Sequence, residues 1–123
     1  MEKTEAKSSE ILGMDLTGLK GVKLGTVREF FIEPSIGQIT FLIVERSSFM
    51  GGSGKYHPVP WSVVRHDPIA KAFQAELSKD QFKASPSYDR AQLAADGYGW
   101  DDQSAKYFEA ALNPDPAVAM APS

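Results

Sequence analysis

The apolar and polar positions of the chain change rhythm along its length, and each rhythm predicts an element. From Gly21 to Arg46 the pattern is that of two strands joined by a tight turn. Val22, Leu24, Val27, Phe30, Phe31 and Ile32 supply the inbound strand. Ile39 to Val44 supplies the outbound one, a dense β-branched and aromatic run of the kind strands favour. Between them Pro34 presets φ and Gly37 can take a positive φ, which predicts a three-residue hairpin loop with a bulge. Leu24 and Val27 are three apart and break strict alternation, so Gly25 between them is the predicted site of a second bulge. Phe41 to Val44 is apolar at both parities, which predicts cover on both faces. A barrel interior accounts for one face, and the C-terminal segment or a second subunit for the other.

Around this hairpin the pattern is sparser. Glu10 to Leu16 reads as a first strand, and Tyr56 to Val64 as an edge or irregular strand, since Pro58 and Pro60 limit ladder bonding. Trp61 is large enough to plug one end of a small barrel. After a turn at His66-Asp67-Pro68, Ala72 to Leu77 alternates as a last strand, with Phe73, Ala75 and Leu77 on one side. Ser78 and Gln81 form a capping box that starts a short helix carrying Phe82, and Pro86 stops it. Ser87 to Trp100 reads as a linker. Asp101 or Asp102 then caps a helix to about Leu112 that must dock to be stable, because so short a helix is marginal alone. The predicted fold is mainly β: a small, highly twisted antiparallel β-barrel, with one short helix after the last strand and a C-terminal helix. Residues 1–8 are predicted to be a flexible lead-in, 9–89 the barrel domain, and 90–123 a linker, the helix at about 102–112, and a frayed tail.

Charge and composition narrow the function. Apolar residues make up 42% and charged ones 24%, the balance of a globular domain. The absence of cysteine excludes disulfides, thiolate metal sites and thiol nucleophiles together. Residues 1–60 carry seven basic and seven acidic side chains, and 61–123 carry six and nine, so the net −3 is wholly C-terminal. No basic stripe is present to neutralise phosphates, and direct nucleic-acid binding is not expected. The opening MEKTEAKSSE is polar, and no run nears the roughly 18 apolar residues that span a bilayer, so a cytoplasmic protein without membrane insertion is expected.

Candidate chemistry is thin. Gly51-Gly52-Ser53-Gly54-Lys55 lacks the Gly at position 49 and the Ser or Thr at 56 that a phosphate loop needs, and the YHPVPW that follows is no helix. His57 and His66 have no third or fourth ligand in view, and no nucleophile sits on a strained turn. Glu29 is the one acid on a strand between apolar neighbours. A buried carboxylate there is either a tuned acid or, as ordinary structure, a partner for backbone amides near Gly25 or for Arg28 or Arg46. No catalytic residue, cofactor, metal or small-molecule substrate is predicted, and the reading is non-enzymatic. The aromatics carry more information. Phe31, Phe41, Phe49, Tyr56 and Trp61 are too many for so small an interior, and rings left outside mark a protein contact. Phe31, Phe41 and Ile43 on the outward hairpin face, with Phe49 and Met50 in the loop, are the candidate contact residues. Phe108 and Leu112 are expected to cover the chain's own barrel or a partner's. Gly25, Glu29, Pro34, Gly37 and Trp61 are assigned structural roles, and a homodimer is the expected assembly.

Leu24-Gly25-Thr26-Val27, Glu29, Ile32, the Pro34…Gly37 turn, Ile39 and Val59-Pro60-Trp61-Ser62 together resemble the PRC-barrel family. Ser9-Glu10-Ile11-Leu12-Gly13 and Pro86-Ser87-Tyr88-Asp89 extend the resemblance over residues 9–89. It implies a small twisted β-barrel, found in the reaction-centre H subunit's cytoplasmic domain, in the C-terminal domain of a ribosome-maturation factor, and in stand-alone proteins. This chain resembles the stand-alone type, with Glu29 where the family pattern implies Asp. The resemblance also implies an alternative role, a ribosome- or RNA-processing-associated factor that binds a ribosomal protein.

Overall fold

The computed structural model describes residues 7–48, 54–94 and 99–112. In chain order the elements are α1 (Ser8–Ile11), β1 (Asp15–Thr17), β2 (Lys23–Glu33), β3 (Gln38–Arg46), β4 (Tyr56–Pro60), β5 (Arg65–Asp67), β6 (Ala72–Gln74), α2 (Lys79–Ala84), α3 (Arg90–Ala94) and α4 (Trp100–Leu112). The strands form one six-stranded sheet in the order β4-β3-β2-β1-β6-β5.

The two edge strands are consecutive in sequence, and that forces the sheet to curl. A flat sheet of this order would hold its edges about 24 Å apart, at ~4.8 Å per strand spacing. The chain from Pro60 to Arg65 makes five steps and reaches at most about 18 Å, part of it coiled as a 3₁₀ turn over Trp61–Val63. The ladder does not close between β4 and β5, yet the fold is the mainly β, barrel-like one expected.

The hairpin of β2 and β3 is the spine. It runs from Gly25↔Arg46 to Glu33↔Gln38, with irregularities at Val27/Glu29 and Phe31/Ile32. Arg28 is therefore an extra residue on one strand and Thr40 on the other, and each bulge tightens the twist. Gly25 is not itself the bulge. Leu24 is the extra residue toward β1, between Leu16↔Gly25 and Thr17↔Lys23. Gly25 is needed for close approach instead, since a Cβ there would stand 2.2 Å from the Glu45 carbonyl oxygen. The loop has four residues rather than three. The Glu33 carbonyl accepts from Ile36 N at 3.2 Å and Gly37 N at 2.7 Å, and Gly37 takes φ +67° to close it.

Elsewhere short segments obey tertiary partners. The expected first strand is split: α1 takes Ser8–Ile11, and Gly13 at φ +92° turns the chain into β1. β1 pairs with β6 in parallel, so the sheet is not wholly antiparallel. The His66 turn region forms β5, paired with β6, and the predicted linker contains α3. The Ser78–Gln81 capping box is present at both ends of its reciprocal bonds. Leu16, Leu24, Leu42, Val44, Val59 and Phe82 are among the buried core. Trp61 packs edge-on to Phe73 at 5.7 Å and half-closes one side of that core.

Candidate functional site

β1 pairs with β2 only as far as Thr26, apart from the backbone bonds that Val27 makes to Gly13 and Met14. β4 pairs with β3 only from Phe41 onward. The far end of the hairpin thus projects as a two-stranded ribbon. Its large side chains are open: Phe31 is 38%, Ile32 50% and Ile36 68% exposed. Beyond Val27 no strand pairs with the outer edge of β2 among the described residues.

The expected contact residues divide around this ribbon. Phe31 stays at its surface. Phe41 is half-buried, because Trp100 at the head of α4 packs on both rings, 5.0 Å from Phe31 and 5.2 Å from Phe41. Ile43 is not outward at all. It is fully buried, on the β3 face that also carries Phe41, so it belongs to the interior of the subunit. Phe108 is fully buried in the chain's own core, which places α4 on its own sheet. Tyr107 Oη donates to the Gln81 carbonyl at 2.6 Å, and Tyr88 bonds Gln103, tying α4 to its neighbours. Leu112 ends α4, with its side chain outside the described atoms, and Phe49 and Met50 lie outside the described residues.

Beside the ribbon lies a groove of about 660 Å³ between β2, α3 and the head of α4. Phe31, Tyr56, Trp100 and Leu93 form its apolar wall, and Arg28, Glu29 and Arg90 its charged one. Arg90 Nε donates to Tyr56 Oη at 2.9 Å, with the guanidinium carbon 5.3 Å from the ring centroid. The Tyr56 hydroxyl, and more distantly Glu29 and Glu45, hold Arg90 above its usual pKa. Arg28 is committed through Nε to Glu45 at 2.8 Å. Glu29 is exposed rather than buried, and it pairs with neither Arg28 nor Arg46.

On the opposite side of β4, His57 is fully buried against Phe82, with ring centroids 4.3 Å apart. Arg46 Nε donates to His57 Nε2 at 3.0 Å, so that nitrogen carries the lone pair. Nδ1 then donates to Ser85 Oγ at 2.8 Å, and Ser85 donates to the Phe82 carbonyl at 2.6 Å. Burial first, and then the Arg46 charge, push the His57 pKa from 6.5 down to about 3. The one N–H of this neutral imidazole is placed in a structural chain, and the ring is fully buried. Among the described residues no cluster of three metal-ligating side chains forms, and no helix is long and apolar enough to cross a membrane.

Sequence reasoning passed over Arg90, Leu93 and Trp100 as linker. The available signal was compositional: Trp100 stands one residue before the Asp101-Asp102 pair that opens a docked helix, a position from which an aromatic ring meets a neighbouring surface.

Two comparisons with known proteins gave matches. The PRC-barrel domain family model matches residues 3–82. Among solved structures, the chain is similar to a crystal structure of a 16S ribosomal RNA processing protein, RimM, from Pseudomonas aeruginosa. The identity is 12% and the TM-score 0.45, over 64% of this chain and 48% of that one. The chain thus spans about half the length of that protein. No curated protein matches it.

Proposed function

This chain belongs to the PRC-barrel domain family, and we propose that it serves as a non-enzymatic interaction module whose projecting hairpin docks onto a protein partner. The observation that carries this reading is the ribbon tip, where Phe31, Ile32 and Ile36 stand open beside an unpaired β2 edge.

Magnitudes define what the contact must include. Fully burying a large apolar side chain is worth roughly 1.5–3 kcal/mol. Association costs about 4–15 kcal/mol before any contact shows as affinity. Three half-open side chains fall short of that alone. Strand addition along the free edge of β2 supplies the rest through main-chain bonds, with the apolar tip fixing the register. A second copy is the first partner we propose, since a two-fold contact places the same edge on both subunits.

Light scattering tests the self-association, with a dimer expected and a monomer at high micromolar concentration overturning it. The doubly substituted Ile32→Asp, Ile36→Asp chain should be monomeric and still folded.

One observation favours a second reading, in which a basic ribosomal protein takes the place of the second copy. Glu29 and Glu33 flank the apolar tip, while the nearby Arg28 is already paired with Glu45. Co-sedimentation with ribosomal subunits that survives high salt, and is lost on Ile32→Asp, supports it over the dimer.

A further inference from the structure

The groove beside the hairpin shares Phe31 and Glu29 with the contact reading but neither Ile32 nor Ile36, and it has the make-up of a small-ligand site. Its volume of about 660 Å³ falls within the range of ligand pockets, which are mostly apolar with a few convergent polar groups. The rings are set before any ligand arrives, because Trp100 is wedged against both Phe31 and Phe41.

The charges are arranged with equal economy. Among the described residues Arg90 bonds only through Nε, to Tyr56 Oη, which orients the guanidinium and leaves its two terminal nitrogens as a fork. A fork held in that way matches the two oxygens of a carboxylate and loses little freedom on binding. Glu29 lines the same groove and pairs with neither Arg90 nor Arg28. A simple anion would satisfy the arginine and meet repulsion from Glu29, and a simple cation the reverse. A ligand that carries a negative group together with a hydrogen donor answers both, and an α-amino carboxylate is a compact unit of that kind.

We propose that this groove binds an α-amino carboxylate with a large apolar side chain, with its carboxylate on Arg90, its α-nitrogen on Glu29 and its side chain against Phe31 and Trp100. The same chemistry is offered by a free aromatic amino acid and by the last residue of a peptide. Ile32 and Ile36 do not line the groove, so the Ile32→Asp, Ile36→Asp chain should bind as the native chain does.

The test is an NMR titration of the full chain with L-phenylalanine, N-acetyl-L-phenylalanine and N-acetyl-L-phenylalanine amide. Saturable shifts at the Trp100 indole N–H and the Arg90 Nε–H are expected with at least one of the two acids. The amide should bind roughly tenfold more weakly than its acid, the loss expected for a charge-assisted pair. Tighter binding of the free amino acid identifies an ammonium on Glu29, and tighter binding of the acetylated one identifies a peptide end; both uphold the site. Arg90→Gln and Glu29→Gln, both exposed positions that should fold normally, are expected to weaken binding with unchanged spectra elsewhere. Equal binding of acid and amide, shifts that never saturate, or an Arg90→Gln chain that binds as before would overturn the assignment.

Discussion

Tyr56 and His57 are neighbours on β4, they point to opposite faces of the sheet, and each accepts an Nε–H from an arginine. The two pairs end differently. On the His57 side the second arm of Arg46 goes to the Lys83 carbonyl at 3.3 Å, and the imidazole donates its Nδ1–H to Ser85 Oγ, which in turn donates to the Phe82 carbonyl. Arg46, His57 and Ser85 are each bonded within the set. On the Tyr56 side Arg90 makes the one bond and turns the rest of its guanidinium to solvent. A closed set of this kind holds β4 to α2 and adds stability. An open one adds little to stability and is available to a ligand.

The largest way to break the closed side is His57→Ala. It removes the ring on Phe82 and leaves Arg46 and Ser85 without their partner in a buried place, and should cost about 3–5 kcal/mol by urea unfolding. A gentler route is acid. The folded-state pKa of His57, about 3, lies below the ordinary 6.5, so the unfolded chain takes up the proton first as pH falls. The stability from neutral burial is whole above pH 6.5 and declines below it by about 1.4 kcal/mol per pH unit. By pH 5, before most carboxylates titrate, the loss should reach about 2 kcal/mol, and a His57→Asn chain should show a flatter profile. A pH-independent urea midpoint between 7 and 5 would refute the proton assignment.

The open side should tolerate more. Trp100→Ala uncovers Phe31 and Phe41 and should cost about 1–2 kcal/mol while increasing dye binding to the exposed rings. Smallest of all, Arg90→Gln should leave the thermal midpoint almost where it was, since its pairing is at the surface. A thermal shift from Arg90→Gln as large as that from His57→Ala would erase the contrast between the two faces.

Local signals were legible in the sequence where the partners lie close along it. The β2–β3 hairpin, the Ser78–Gln81 box and the burial of Phe73, Ala75 and Leu77 all follow from residues within a few positions of each other. What escaped depended on distant partners. β5 has three residues, and its strand character comes from β6 rather than from its own composition. The parallel β1–β6 pair joins Leu16 to Phe73, far apart in the chain. Ile43 looked outward because periodicity reports two apolar faces without saying what lies on the second. Trp100 lies against Phe41 on that face, and no local pattern connects residue 100 to residue 41. The exposed state of Glu29 was hidden in the same way: the apolar Val27, Phe30 and Phe31 lie around it in sequence, but in space it lines an open groove.

The short passage from Pro60 to Arg65 works like a drawstring on the sheet. If a flexible insert after Val63 slackened it, the entropy cost of the longer loop would be slight, yet the outer strands would be free to swing apart and lie flat. Two bare ribs would then face outward, each a template for another molecule's strand. The length of one four-residue connector thus separates a discrete subunit from a growing fibre.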